Sequence, residues 1–475
     1  MTLALPAAQS ATLAPSYRRV VTAAQAGLFE QVMVVLTTFV FLHQDPTDWF
    51  RSRSDLLEAS NPLIVAVELA LIAVAFARVA GSIDLLISMI RLEPLIYVFS
   101  GLTFASLFWS ADPAETFNAA VAFIAVTAYG SYLVMRFALD QIIRLLAIMF
   151  VLSAVLNLAF VLAFPEFAID RGGNLTGVFA QKNALGFVAV VGIPTLMIAS
   201  RSHRTGRILY VPAIGILTYL LWGSESKTML LATAGPACLM FVYHLFRGRR
   251  TLRGAVIMSM AGSGIFAAAF ATANIALLAQ WLDKDVTLTG RVPMWQQLYP
   301  IFTERWPIGY GYGAAFGGYF SPVHELWIQS RWNPSHAHNA LLHIALEVGV
   351  LGAIIFLVLY LRTVSRAIKI VAVVPGAVGL WPLTFLTTVL LISITESGVT
   401  SNTLAWMMMV VAVLSVGFHL RYRRDIGLTD DQPLGPGSAL PAGVGAFTGH
   451  PDGNDTIDLL ADGQSPTELV PTPTS

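Results

Sequence analysis

The feature that most constrains this chain is a series of apolar runs, each about as long as a membrane is thick. A helix needs roughly 20 mostly apolar residues to cross a hydrocarbon core about 30 Å thick. About twelve runs meet this requirement, with approximate limits 22–42, 62–80, 94–109, 117–135, 142–164, 184–200, 207–223, 228–246, 254–281, 340–361, 371–395 and 402–420. Only 12% of the 475 residues are charged, too few to cover a water-soluble protein of this size. The runs therefore predict an all-α integral membrane protein.

The basic residues predict an orientation, because cytoplasmic connections are enriched in Lys and Arg. With the N-terminus inside, most of the 28 Lys and Arg fall in cytoplasmic connections. The remainder lie on the outer side: Arg51, Arg53, Arg171, Lys182, Lys227, Lys284, Arg291, Arg305 and Arg331. Topology does not explain this outer set, so we expect some of its members to have another role.

Three regions follow from this arrangement. Residues 1–21 are expected to be a cytoplasmic segment, and 22–427 a membrane domain whose longest outer connection, 282–338, is long enough to be functional. Residues 428–475 contain acids, Pro and Gly but no Lys or Arg, and are expected to form a disordered cytoplasmic tail. The stretch Ile83 to Ile90 is too short to cross and is expected at the interface.

Charge and cysteine content exclude other classes of protein. The chain has 28 basic and 28 acidic residues, so its net charge of zero argues against a nucleic-acid partner. The single cysteine, Cys238, permits neither an intramolecular disulfide nor a cysteine metal cage. Its apolar surroundings predict that it packs inside the protein.

Two outer-side motifs combine a lysine with small residues. In Gly177-Val-Phe-Ala-Gln-Lys182-Asn183-Ala-Leu-Gly186, the lysine and the last glycine share a helix face, which lets another element approach closely. In Ser224-Glu-Ser226-Lys227-Thr, a tight turn places a charged pair and three hydroxyls at membrane depth, where charge usually marks a site. The alternatives are an interfacial lysine anchor and a turn that only caps a helix.

Two further motifs follow in and after the long outer connection. Arg291, preceded by Thr-Gly, offers a planar fork of donors that matches phosphate oxygens, although a lone loop arginine is usually only solvated. His338-Asn339 is followed, nine residues on, by Gly349-Val-Leu-Gly352. A histidine where a loop enters a membrane helix can be neutral near working pH, as a general base must be.

A metal interpretation of the histidines has less support. Candidate ligands are His324, His336, His338 and His343, with Glu347 on the same helix face as His343. Their spacing matches no recognised zinc pattern. No metal or other cofactor is therefore expected.

Taken together, these motifs resemble the O-antigen ligase and O-antigen polymerase (Wzy-type) superfamily. The pattern His-Asn, nine residues, Gly-x-x-Gly is its hallmark, and the GxFxxKNxLG, SxSKT and TGR motifs resemble its exopolysaccharide-polymerase branch. Trp109-Ser-Ala-Asp112-Pro also fits that branch. The resemblance extends from about residue 95 to 420.

The resemblance implies a GT-C-like fold of about 12 transmembrane helices and a glycosyltransferase at the outer face of the bacterial inner membrane. The enzyme would transfer a polyprenyl-pyrophosphate-linked glycan to an acceptor hydroxyl, with inversion and without a metal. By this resemblance His338 is the catalytic histidine, Arg291 binds pyrophosphate and Lys227 is the second cation. Substrate contacts are also expected from Lys182, Asn183, Asn339, Ser224 and Ser226. Ligases usually carry arginine at the second position, so Lys227 favours a polymerase.

Two alternatives stay open. The chain could be a ligase that joins the glycan to a lipid A core, or a lipid-linked-sugar transporter whose cations bind substrate without cleaving it. A transporter should place charge near the bilayer midplane, whereas the outer cations of this chain lie at one interface. The expected partners are the lipid-linked donor, a glycan acceptor, the bilayer and a chain-length regulator or another polysaccharide-assembly protein.

Overall fold

The computed structural model describes residues 27–43, 83–246, 254, 291–317, 320–324, 336–373, 377–394, 396–400 and 404–425. Within these ranges the chain forms helices and turns, and one isolated bridge, Ile169 to Leu175, is the sole extended pairing. The predicted all-α class is confirmed for this part of the chain. Segment 1–21, run 62–80, nearly all of run 254–281 and the tail 428–475 lie outside it.

The helices of the described residues are numbered in chain order. They are α1 (Leu28–His43), α2 (Ile83–Leu92), α3 (Pro94–Ala105), α4 (Pro113–Arg136), α5 (Leu139–Ala163), α6 (Pro165–Ala168), α7 (Lys182–Ser202), α8 (Arg207–Gly223), α9 (Lys227–Ala232), α10 (Ala234–Leu245), α11 (Arg291–Glu304), α12 (Ala340–Val373), α13 (Trp381–Ser393) and α14 (Leu404–Asp425). Short 3₁₀ turns at Ser106–Trp109, Arg204–Gly206, Val378–Leu380 and Gly398–Thr400 connect several of them.

Seven segments of the described chain are long and apolar enough to cross a membrane, which makes this a multi-pass membrane protein. They are Pro113–Arg136, Leu139–Ala163, Lys182–Ser202, Arg204–Gly223, Lys227–Leu245, Ala340–Val371 and Leu404–Arg421. Leu86–Leu92 and Pro94–Trp109, bent by 102°, can form an eighth, broken crossing. The apolar helices at Leu28–His43 and Val378–Ser393 are shorter than a full crossing. Twelve crossings therefore stay a prediction.

Helix α14 forms the centre of the bundle. Its membrane window is 89% buried, because nearly every side chain from Leu404 to Val416 is apolar and meets protein. Gly130 of α4 lets the two backbones approach, since a Cβ there would lie 2.8 Å from the Cβ of Val410. The indole Nε1 of Trp406 donates to the Thr127 hydroxyl at 2.9 Å, which satisfies both polar groups inside the core.

A second close approach involves the lysine motif of α7. A Cβ on Gly186 would lie 2.8 Å from Cγ of Met229 in α9 and 3.5 Å from Cβ of Ser226. The close approach predicted for Gly186 is thereby confirmed. It brings the first turn of α7 beside the Ser224–Thr228 turn, so two motifs that are distant in sequence become neighbours.

The Gly-rich turn at 309–313 packs on α12 and fixes its kink. Gly309, Gly311 and Gly313 all have positive φ, between 71° and 101°, which suits residues without a Cβ. The N–H groups of Gly311 and Gly313 donate to the carbonyl and carboxylate of Glu347, at 2.8 and 3.0 Å. Gly349, with φ 75°, breaks the helix where it meets the carbonyl of Pro307. The first glycine of the Gly-x-x-Gly pattern is therefore required by packing.

Two sequence interpretations need correction. The connection 282–338, expected on the outer side, contains a 14-residue helix, α11, which the sequence did not indicate because Pro293 and Pro300 lie within it and no apolar stripe marks it. Cys238 is exposed rather than packed inside. Helix α10 buries its other face, through Leu239, Met240 and Val242.

Candidate active site

The carboxylate of Glu396 joins four segments that lie far apart in the sequence. Its Oε1 accepts from Arg291 Nη2 at 2.7 Å and from Asn183 Nδ2 at 2.8 Å. Its Oε2 lies 3.2 Å from His338 Nδ1 and 3.7 Å from His336 Nε2. Glu396 has 10% of its side chain exposed, and three donors replace the water that a buried carboxylate loses.

Each partner of Glu396 is positioned by the end of a helix. Asn183 is the second residue of α7, and its Oδ1 accepts from the hydroxyl of Ser226, just before α9, at 2.7 Å. Arg291 is the first residue of α11. His338 lies two residues before α12. The Lys182, Lys227 and Arg291 motifs and the His-Asn motif thus converge on one cluster.

The backbone at His338 is held in an unusual conformation. Its φ is 49°, in the left-handed region that non-glycine residues enter at a cost of roughly 1–2 kcal/mol. Two neighbours stabilise this turn: Trp295 Nε1 donates to the Ala337 carbonyl at 2.8 Å, and the amide oxygen of Asn339 accepts from the N–H of Leu342 at 3.0 Å. Strain of this kind is typical of functional positions.

His336 and His338 have different hydrogen-bonding patterns. The N–H of His338 donates to Nδ1 of His336 at 3.2 Å, so the ring proton of a neutral His336 lies on Nε2. Burial lowers the pKa of His336 to about 4, with smaller contributions from His338 and Arg291 and an opposing one from Glu396. His336 is therefore neutral at pH 7, and its contact with Glu396 is not an ion pair at that pH.

Two lysines flank the cluster. Lys182 directly precedes Asn183, and Lys227 directly follows Ser226. Asn183 and Ser226 are hydrogen-bonded to each other. In the part of the chain that the structure describes, neither lysine forms an ion pair, whereas the charge of Arg291 is balanced by Glu396. Lys227 is exposed and Lys182 is partly exposed. Each lysine is thus next in sequence to a residue of the cluster, and no ion pair compensates its charge within the described residues.

A cavity of about 370 Å³ adjoins the cluster. Asn183, His336 and Glu396 form part of its wall, and the rest is mostly apolar, including Phe41, Phe187 and Leu404. A wall of this kind excludes water from one side of the carboxylate. It therefore strengthens the electrostatic interactions of the charged groups there.

The cluster contains donor atoms of the types that bind metal ions, but its charges oppose a metal. Among the described residues, donor atoms of His336, His338 and Glu396 lie within 4.8 Å of one another, and their types suit zinc. Arg291 already occupies the same carboxylate, and a divalent cation would be repelled by its charge. His324 and His343, which the sequence also suggested, are not part of this group.

Two residues predicted to bind substrate have structural roles in the fold. Ser224 is fully buried and its hydroxyl donates to the Leu221 carbonyl at 2.7 Å, closing the turn. Asn339 caps α12 and its Nδ2 lies 3.4 Å from the Ile394 carbonyl. Contact of either residue with substrate stays a prediction.

Sequence reasoning missed Glu396, the residue at the centre of the cluster. One signal could have found it: Glu396 is the single acid in the short connection between runs 371–395 and 402–420, and charge at such a place usually marks a site. The arrangement as a whole brings a cation and an oriented imidazole together on a carboxylate that lines a largely apolar cavity. Such a site can bind an anionic group and move a proton close to it.

Comparison with known proteins agrees with the motifs. Residues 212–357 match the family described as O-Antigen ligase, a region that includes Ser226, Arg291 and His338 but neither Asn183 nor Glu396. The chain is 28% identical, over 274 residues, to the exopolysaccharide production protein ExoQ of Rhizobium meliloti (strain 1021). That match covers 55% of this chain and 62% of the relative, so less than two thirds of the relative's length is spanned. The predicted resemblance to the O-antigen ligase and polymerase superfamily, in its exopolysaccharide branch, is thereby confirmed.

Proposed function

We propose that this protein is a membrane glycosyltransferase that polymerises polysaccharide at the outer face of the bacterial inner membrane. Its donor would be a glycan linked to a polyprenyl pyrophosphate, and its acceptor a hydroxyl of another glycan. The observation that carries this proposal is the convergence of Asn183, Arg291 and His338 on one buried carboxylate beside an apolar cavity, with Ser226 bonded to Asn183. A lipid pyrophosphate presents an anionic headgroup at the membrane surface, where cations next to an apolar cavity suit it.

The reaction would be a direct displacement at the anomeric carbon. The acceptor oxygen forms a bond to that carbon, the bond from carbon to the phosphate oxygen breaks, and the lipid pyrophosphate leaves with the bonding electrons. His338 takes the proton of the acceptor hydroxyl as it attacks, a role worth roughly 10² to 10⁴ in rate. Attack opposite the leaving group inverts the anomeric configuration.

Charge that develops on the leaving pyrophosphate would be stabilised by protein cations. Lys182 and Lys227 have no ion-pair partner among the described residues, so their charge is available to a phosphate group. One guanidinium nitrogen of Arg291 donates to Glu396, and the guanidinium has further N–H donors. If Arg291, Lys182 and Lys227 supply this positive charge, the step requires no metal.

The wider arrangement is part of the same proposal. It comprises a GT-C-like fold of about 12 crossings, with domain limits 1–21, 22–427 and 428–475, outer loop 282–338 and both termini cytoplasmic. It also includes a chain-length regulator as a partner. Single cysteines at Asp285 and Thr448, in a Cys238→Ala background, test the orientation. An impermeant thiol reagent should label position 285 but not 448 in cells with a permeabilised outer membrane.

The activity is tested with purified protein in liposomes, a defined lipid-linked oligosaccharide and EDTA to remove metal ions. A ladder of products supports the polymerase. A single addition to a lipid A core acceptor would make the protein a ligase. Absence of turnover, together with movement of the donor between leaflets, would make it a transporter.

A further inference from the structure

Glu396 has two oxygens that face chemically different partners. Oε1 accepts from Arg291 and Asn183, which are both permanent donors. Oε2 faces the ring nitrogens of His338 and His336, at 3.2 and 3.7 Å. A carboxylate oxygen can only accept, so the nitrogen of His338 that faces it must carry a proton.

We propose that Glu396 is the positioning residue that keeps the ring proton of His338 on Nδ1. Nε2 is then the nitrogen that takes up the proton of the acceptor hydroxyl. The carboxylate also stabilises the imidazolium that forms when His338 accepts that proton. This role rests on the proposed function, since it concerns the base of the same reaction.

The location of Glu396 supports positioning rather than direct contact with the reacting atoms. Its carboxylate already accepts from three groups within 3.2 Å, which leaves little of its accepting capacity for a substrate. Only 10% of its side chain is exposed, against 18% for His338. The ring of His338 is therefore the more exposed of the two groups, and Glu396 also lines the cavity.

Replacing Glu396 with glutamine separates this role from a merely structural one. Arg291 cannot give up a proton, so the amide oxygen of Gln should face Arg291 and Asn183. The NH₂ group then faces Nδ1 of His338, where two donors cannot meet. The imidazole of His338 avoids this contact by carrying its proton on Nε2 instead of Nδ1. Nε2 then cannot accept the proton of the acceptor hydroxyl. Because Arg291 keeps its partner, binding of the donor should be preserved.

The kinetic test uses the same liposome reaction. We expect Glu396→Gln to lower kcat by about 10² or more, with KM for the lipid-linked donor little changed. Glu396→Asp keeps the carboxylate and should recover part of the lost rate. Glu166→Gln is a matched control, because Glu166 is exposed and lies outside the cluster; it should leave the rate unchanged. Wild-type kcat in Glu396→Gln would overturn the proposal.

A second measurement does not depend on turnover. ¹⁵N-histidine NMR of the protein in liposomes distinguishes Nδ1–H from Nε2–H rings, and a His338→Asn difference spectrum assigns the signal of His338 among the 9 histidines. We expect Nδ1–H in the wild type and in Glu396→Asp, and Nε2–H in Glu396→Gln. An Nε2–H ring in the wild type would overturn the proposal, whether or not a variant folds.

The two measurements also separate this proposal from the function on which it rests. If the wild type transfers no glycan to any acceptor, the proposed function fails, and the position of the ring proton can still be read. If the wild type transfers glycan and the ring proton of His338 is unaffected in a folded Glu396→Gln protein, only the role of Glu396 fails.

Discussion

Glu30 and Glu396 each pair with an arginine inside the helical bundle, but the two pairs differ in form. Arg136 donates two hydrogen bonds to Glu30, from Nε to Oε1 at 2.6 Å and from Nη2 to Oε2 at 2.7 Å. The Tyr132 hydroxyl donates a third to Oε1 at 2.7 Å. Arg291 meets Glu396 through a single bond at 2.7 Å, because the other carboxylate oxygen faces His338. The first pair joins α1 to α4, whereas the second links a cation to a group that can move a proton.

The comparison teaches which features separate a site from a structural pair. A carboxylate paired with an arginine occurs in both places, so the pair itself cannot be the criterion. The Glu396 cluster differs in containing two histidines, one of them with φ 49°, and in lining a cavity of about 370 Å³. Changes at the two pairs should therefore affect different properties, function at one and stability at the other.

The largest effect is expected from His338. His338→Ala should lower product formation by roughly 10² to 10⁴, because it removes the base. Binding of the lipid-linked donor should stay close to normal, since the proton is transferred only in the transition state. Single-turnover kinetics and a donor-binding assay, both on the same liposomes, measure the two effects separately.

His336→Ala is the control for that change. His336 lies two residues away and lines the cavity, but its Nδ1 is engaged by the backbone of His338. A smaller loss of rate is expected from His336→Ala than from His338→Ala. If His336→Ala were inactive and His338→Ala active, with both proteins folded, the assignment of the base would be wrong.

The next effect tests the two arginines against each other. Arg291→Ala should weaken both donor binding and turnover, by about 10² in kcat/KM, because phosphate charge exists before the reaction and grows during it. Arg136→Ala should leave the activity of folded protein unchanged but lower the free energy of unfolding by about 2 kcal/mol, since it removes hydrogen bonds to a charged group. Activity and thermal unfolding are measured for both variants. A loss of activity in folded Arg136→Ala would remove the distinction between the pairs.

A smaller effect is expected from the lysines. Lys227→Ala and Lys182→Ala should each weaken donor binding by about tenfold, and the loss should shrink at high salt because partly exposed charges are screened. Lys227→Arg should keep much of the activity if only charge is needed. Arg204→Ala removes an exposed cation at the other end of α7 and is the matched control. Equal losses in all three alanine variants would indicate a general effect of charge on the donor.

Much of the fold could be predicted because a bilayer requires helices with continuous apolar sequence. The runs 117–135, 142–164 and 184–200 agree with α4, α5 and α7 to within a few residues. The prediction was weaker where hydropathy carries no information. Helix α11 lies in the polar connection 282–338 and contains two prolines, and α13 has only 13 residues.

The cluster could be predicted only in part, for a physical reason. The motifs indicated which segments carry Arg291, His338 and the lysines, because cations and histidines are rare in so apolar a chain. Glu396 lies 58 residues after His338, and no periodicity relates two residues on separate connections. The φ of 49° at His338 is likewise set by packing against Trp295 and by the cap at Asn339, which are tertiary contacts.

The last expected effect concerns stability rather than activity, and is a change in how stability depends on pH. Burial lowers the pKa of His336 to about 4, below its ordinary value of 6.5. Between these two values the unfolded chain binds a proton at this position and the folded protein does not, so the folded protein loses stability as pH falls from 6.5 towards 4. His336→Gln lacks this titration and should lose less stability over the same range, by at most about 3 kcal/mol at pH 4. Thermal unfolding of the wild type and of His336→Gln between pH 7 and 4.5 measures the difference in stability. The other titrating groups are the same in both proteins, so their contributions largely cancel. Parallel curves would mean that His336 takes up its proton as readily in the folded protein as in the unfolded chain, and the cavity beside Glu396 would then be more hydrated than its apolar wall implies.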